Sequence, residues 1–176
     1  MAVMTIEIMK PNVLVVEGRE EELIFEAIVT HLELENIQIL PIGGKERLRQ
    51  NLKALVLSPR FTEVISMGIV RDANENPGAT FQSVRDALQA VNLPAPERPL
   101  APIGHSPRVT VMILPEEGTP GMLEDLFLRA VAQDPPCCVW SNTFDVWNCK
   151  VSPCPATYLK GEFKSFWLQD RKQENG

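Results

Sequence analysis

Two apolar runs constrain the fold of this chain more than any other feature: Val13-Leu14-Val15-Val16, and Val64-Ile65-Ser66-Met67-Gly68-Ile69-Val70. The first has no polar alternation, so it reads as a strand buried on both faces, the kind found in parallel sheets. It stops abruptly at Glu17-Gly18, and a helical pattern begins at once. The second stops in the same manner, at Arg71-Asp72-Ala73-Asn74. Open α/β sheets bind ligands outside the carboxyl ends of their strands. If both runs lie in one parallel sheet, Glu17, Asp72 and Asn74 emerge on the same rim.

The segments around these runs repeat the alternation of strand and helix. Leu23, Ile24, Ala27, Ile28 and Leu32 recur at helical spacing and predict a helix over 20–34. Ile37 to Leu40 predicts a short strand. Pro41-Ile42-Gly43-Gly44 then leads into a helix carrying Leu48, Leu52, Leu55 and Val56. Pro59 breaks that helix. Asn76-Pro77-Gly78 reads as a turn, with a helix expected over 80–91. Arg108 to Leu114 is a fourth strand, and a helix over 122–131 follows it. Repetition of this kind points to a layered α/β, Rossmann-like fold. We expect a central, mostly parallel sheet of about four strands, with helices on both faces, over residues 1–133. The interval from Asn92 to Pro107 carries five prolines and little periodicity, and reads as an irregular excursion.

After Gln133 the pattern fails. Residues 134–176 are expected to form an extension packed on the domain. Cys137, Cys138, Cys149 and Cys154 do not form paired Cys-x-x-Cys knuckles and have no histidine nearby. They read as small apolar residues in preference to a zinc site. Trp140, Trp147, Trp167, Phe144, Phe163 and Phe166 make this end aromatic, suited to packing under the sheet or to a homodimer contact. No secretory leader or apolar run of about 20 residues is visible, so no membrane partner is expected. A cytoplasmic location with reduced thiols is the default.

Charge limits the partners. The net charge of −6 argues against a broad nucleic-acid surface, which relies on clustered Lys and Arg. Acids gathered on one rim would reverse that sign locally on binding a cation. The most basic part of the chain holds Lys45, Arg47, Arg49 and Lys53 after the Gly43-Gly44 pair. It reads either as a solvated helix face or as the first place for DNA or RNA to bind. The spacing is wrong for a P-loop, and Lys45 is followed by no Ser or Thr.

Val15-Val16-Glu17-Gly18 and Val70-Arg71-Asp72-Ala73-Asn74 together resemble the two signature motifs of the Toprim domain: a buried strand ending in Glu-Gly, and a later strand ending in Asp-x-Asp. The resemblance runs from about Val13 to Ala132. It extends to the small stand-alone Toprim-like proteins and to the Toprim part of the overcoming-lysogenization-defect nucleases. Glu21 matches the extra acid of the latter, and Gly121-Met122-Leu123-Glu124 matches their Gly-x-Leu-Glu turn. The resemblance implies a Mg²⁺ (or Mn²⁺) site drawn from Glu17, Glu21, Asp72, Asn74 and Glu124. Glu17 and Asp72 would be the catalytic pair of a nuclease or related phosphotransfer enzyme acting on nucleic acid. Asn74 departs from the motif, since an amide oxygen can ligate a metal but brings no charge. That departure keeps a second reading in view, a catalytically weakened module binding nucleic acid or protein. The helix dipole alone explains acids at helix starts, including Glu20, Glu22 and Glu124. A third reading is a doubly wound scaffold with incidental acids.

Overall fold

The computed structural model describes residues 6–44, 47–116 and 118–132. The chain divides into two units, Met1–Leu123 and Glu124–Gly176. The first unit is a four-stranded, all-parallel sheet with interleaved helices. Its elements are β1 (Asn12–Val16), α1 (Arg19–His31), β2 (Ile37–Pro41), α2 (Leu48–Val56), β3 (Ser66–Asp72), α3 (Pro77–Gln89) and β4 (Arg108–Leu114). A single 3₁₀ turn at Phe61–Glu63 precedes β3. The described residues of the second unit belong to α4 (Leu123–Ala132), which starts at the last residue of the first unit and has Glu124 and Asp125 in its first turn.

The strand order is β2-β1-β3-β4. Registers pair Val15 with Leu40 on one side and with Ile69 on the other, and Ile69 with Val111. Strand pleating sends successive side chains to opposite faces. Val13, Val15, Met67, Ile69, Val109, Val111 and Ile113 therefore share one face. They form a single buried cluster with Leu48, Leu52 and Leu55 of α2 and Val84, Ala87 and Leu88 of α3. Burying one such aliphatic side chain contributes about 1.5–3 kcal/mol, which is why these faces hold together. Parallel crossovers are right-handed, so α1, which leaves β1 toward β2, covers the other face. There Phe25 and Ile28 of α1 are buried, as are Leu14, Val16, Val70 and Met112 of the sheet.

Three local expectations are refined by the structure. β3 runs on through Arg71 and Asp72, where the apolar pattern ends the strand at Val70. Asn76-Pro77-Gly78 opens α3 and is no separate turn. The Asn76 side chain accepts a hydrogen bond from Ala79 N at 2.9 Å. Pro77 occupies the first helical position, where a missing N–H costs nothing. The proline-rich excursion also pairs with the sheet. Leu100 N donates to Val111 O, and Ile103 exchanges both backbone bonds with Val109. The excursion thereby blunts the outer edge of β4.

Cys137, Cys138, Cys149, Cys154 and the aromatic extension lie outside the described residues, as does Lys45. Among the described residues no helix is long and apolar enough to cross a membrane.

Candidate functional site at the carboxyl edge of the sheet

The chain leaves β1 in one direction, toward β2, and leaves β3 in the other, toward β4. The topological switch point therefore falls between β1 and β3, where open α/β sheets form a ligand crevice. Glu17 follows directly on β1, and Arg71 and Asp72 close β3. Extending the Val15–Ile69 register by two residues brings Glu17 level with Arg71.

Arg71 lies on the face that carries Met67 and Ile69, and it is 4% exposed. Its Nη2 stands 3.2 Å from Glu17 Oε2, the other half of an ion pair whose carboxylate side chain is 29% exposed. The pairing is incomplete. Arg71 Nε and Nη1 are buried and have no hydrogen-bond partner. A guanidinium carries five N–H donors and no acceptor, so unmet nitrogens in a dry setting are costly. The sequence reading passed over Arg71. The available signal was an arginine closing an otherwise apolar strand, beside a neighbouring strand that ends in an acid.

Glu17 is also close to the turn after β2. A Cβ added to Gly44 would sit 3.7 Å from Glu17 Oε1, so the backbone of Gly44 lies against this carboxylate. Gly43 has φ +78°, a left-handed conformation that favours glycine. The Asn51 side chain donates to Ile42 O and Arg47 N donates to Gly44 O at 2.8 Å, which ties the turn to α2. Helix α2 then begins with no side-chain cap.

Asp72 leaves the sheet toward the opposite face, in line with Gly68 and Val70. It is half-buried, and its Oδ1 accepts a hydrogen bond from Leu123 N at 3.1 Å. The backbone beyond it is firmly held. Ala73 N donates to Leu114 O at 2.7 Å, and Asn74 and Gly121 exchange two bonds of 2.8 Å. Asn74 is exposed with φ +52°, which asparagine tolerates better than most residues. Its Nδ2 donates to Asp72 O at 3.2 Å.

The other sequence candidates, and two further titratable side chains, His105 and Glu116, are placed as follows. Glu21 Oε2 accepts from Gly18 N at 2.9 Å, so Glu21 caps the start of its own helix. Glu22 is engaged by Arg19 at 2.6 Å. Glu124 is exposed in the first turn of α4. Arg47 and Arg49 are exposed at the start of α2. His105 is exposed. Glu116 folds into a local turn, its Oε1 accepting from Thr119 Oγ1 at 3.0 Å. Among the described residues no three of His, Cys, Asp and Glu come together as a group that could hold a metal ion. The rim carries the carboxylates of Glu17 and Asp72, which leave the sheet toward opposite faces, and the Asn74 amide, all with oxygen ligands. That set suits Mg²⁺, which is usually bound by one or two carboxylates together with waters and substrate phosphates.

The chain belongs to a family described as a protein of unknown function (DUF3226), whose model matches residues 11–146. The match includes every strand of the sheet and both strand ends of the rim. No curated protein and no solved structure matches the chain.

Proposed function

We propose that this chain is a Toprim-like protein that binds a divalent cation at the carboxyl edge of its sheet and acts on nucleic-acid phosphodiesters as a nuclease or related phosphotransfer enzyme. The observation that carries this reading is the position of Glu17 and Asp72, on either side of the β1–β3 switch point.

Asp72 holds the cation from the end of β3, with the Asn74 amide oxygen as a neutral neighbour. Glu17 supplies a second oxygen ligand or moves a proton at the reacting phosphate. Mg²⁺ bound there would neutralise charge on the phosphate and on the leaving oxygen. Arg47 and Arg49, with Lys45 next to them in sequence, offer cations to the phosphates flanking the scissile one. The rigid exchange of bonds between Asn74 and Gly121 keeps the Asp72 loop in place while substrate comes and goes.

Calorimetry with Mg²⁺ on the wild type, Asp72→Ala and Asn74→Asp tests the reading. We expect binding in the wild type, loss in Asp72→Ala, and tighter binding in Asn74→Asp, which restores a charged ligand. Metal-dependent cleavage of DNA or RNA should follow the same order. Binding that survives Asp72→Ala, or no binding at millimolar Mg²⁺, would overturn it.

The Glu17–Arg71 pair and the neutral Asn74 favour a second reading, a catalytically weakened Toprim-like module. Glu17 is already compensated by a protein cation, and one of the motif's acids is missing. That module would bind nucleic acid or protein with no metal-dependent turnover, and the cleavage assay separates the two.

A further inference from the structure

Arg71 is a group at the rim that the proposed chemistry leaves unexplained. It is almost fully buried, its one ion-pair partner among the described residues is Glu17, and two of its three nitrogens have no hydrogen-bond partner. Native structures satisfy most buried polar atoms, and an exception calls for a specific explanation. Arg71 is the penultimate residue of β3, so it stands at the same rim as Glu17 and the Gly43-Gly44 turn.

We propose that Arg71 is the phosphate-recognising residue of this rim, held in reserve by Glu17. The inference rests on the metal-binding reading above and assigns Arg71 a role within it. A divalent cation and the Arg71 guanidinium compete for the same carboxylate. When the cation takes Glu17, Arg71 is left as a buried charge with no counter-ion. A phosphate oxyanion arriving with the metal restores that counter-ion, and its geometry matches the planar guanidinium fork. The start of α2 carries no side-chain cap and lies beside the turn that touches Glu17, so its dipole favours the same anion. No bond is made or broken in this exchange. One ion pair, Glu17–Arg71, becomes two: Glu17 with the metal and Arg71 with the phosphate.

The consequence is a coupling that two independent sites would not show. The metal alone must break the ion pair and binds weakly, whereas metal and phosphate together bind cooperatively. Thermodynamic linkage requires each to strengthen the other by the same factor.

The test is calorimetric titration of Mg²⁺ into the full chain with and without inorganic phosphate, on wild type, Arg71→Met and Glu17→Gln. Circular dichroism and a cooperative melt confirm that each variant is folded. In the wild type we expect phosphate to tighten Mg²⁺ binding by about tenfold. In Arg71→Met, Mg²⁺ should bind at least as tightly as in the wild type without phosphate, and the phosphate effect should vanish. In Glu17→Gln the guanidinium is already released, so phosphate alone should bind more tightly than to the wild type. This second variant keeps the test decisive if Arg71→Met does not fold. Mg²⁺ binding indifferent to phosphate would overturn the role of Arg71 while leaving the metal reading standing. So would a phosphate effect that persists in Arg71→Met, or no gain of phosphate binding in Glu17→Gln. Absence of Mg²⁺ binding in the wild type under both conditions would overturn the metal reading and this inference with it.

Discussion

The two edges of the sheet treat their polar groups differently. At the amino edge the groups are matched by neighbours. Ser66 Oγ donates to Asn12 Oδ1 at 2.7 Å across β3 and β1. Ile65 N donates to Pro11 O and Arg108 N to Ile65 O, each at 2.8 Å. Lys10 Nζ donates to Ile37 O at 3.0 Å. At the carboxyl edge Arg71 is buried with, among the described residues, one ion-pair partner and two unmet nitrogens. Both edges come from the same strands in the same register, so strand pairing does not explain the contrast. The amino edge matches its polar groups within the fold, and the carboxyl edge keeps a buried guanidinium only partly matched.

The largest expected effect breaks that contrast at Arg71 itself. Glu17→Gln leaves the guanidinium buried without a counter-ion and should destabilise the fold by about 1–3 kcal/mol. That is less than the 3–5 kcal/mol seen when a fully buried pair is broken, because Glu17 is 29% exposed. The double change Glu17→Gln with Arg71→Met removes the stranded charge and should recover most of the loss. Urea denaturation of both variants measures this. A double variant as unstable as the single one would mean that Arg71 carries no unmet cost.

A smaller effect is expected at the amino edge. Ser66→Ala removes the donor to Asn12 and should cost about 1 kcal/mol, with Mg²⁺ binding unchanged. An altered Mg²⁺ affinity in this variant would erase the distinction between the edges.

The smallest effect concerns Glu63, in the 3₁₀ turn before β3. Its carboxyl is held below the usual carboxylate range by a hydrogen bond from Arg60, with the charge of Arg60 adding to it. A depressed folded-state value means that the contribution is present above the unfolded pKa and is lost as pH falls through the folded one. Both side chains are at least half exposed, so the contribution is small and screened by salt. The stability difference between wild type and Glu63→Gln, followed by thermal melts, should shrink toward zero in acid and in high salt. A difference that grows in acid would reverse the assigned sign.

The strands, their order along the chain and most of the helices were legible in local pattern. Val13 to Val16 can hardly be other than a doubly buried strand, and the apolar spacing in α1, α2 and α3 marks their inward faces. Such signals are local, because the periodicity of a few consecutive residues reflects the geometry of the element they form. Glu17 and Asp72 were legible as strand-end acids for the same reason. The start of α3 was misread because Asn-Pro-Gly serves equally as a turn and as a capped helix start. Only the contact of the Asn76 side chain with Ala79 N distinguishes them.

What the tertiary structure alone decided is the meeting of Glu17 with Arg71, and the departure of Asp72 toward the other face. Both depend on the parallel register that sets Val15 beside Ile69, and on the pleat, which turns neighbouring residues to opposite sides. Register and pleat join residues far apart in the chain. No local pattern could state that an arginine closing β3 would be buried against the acid that closes β1.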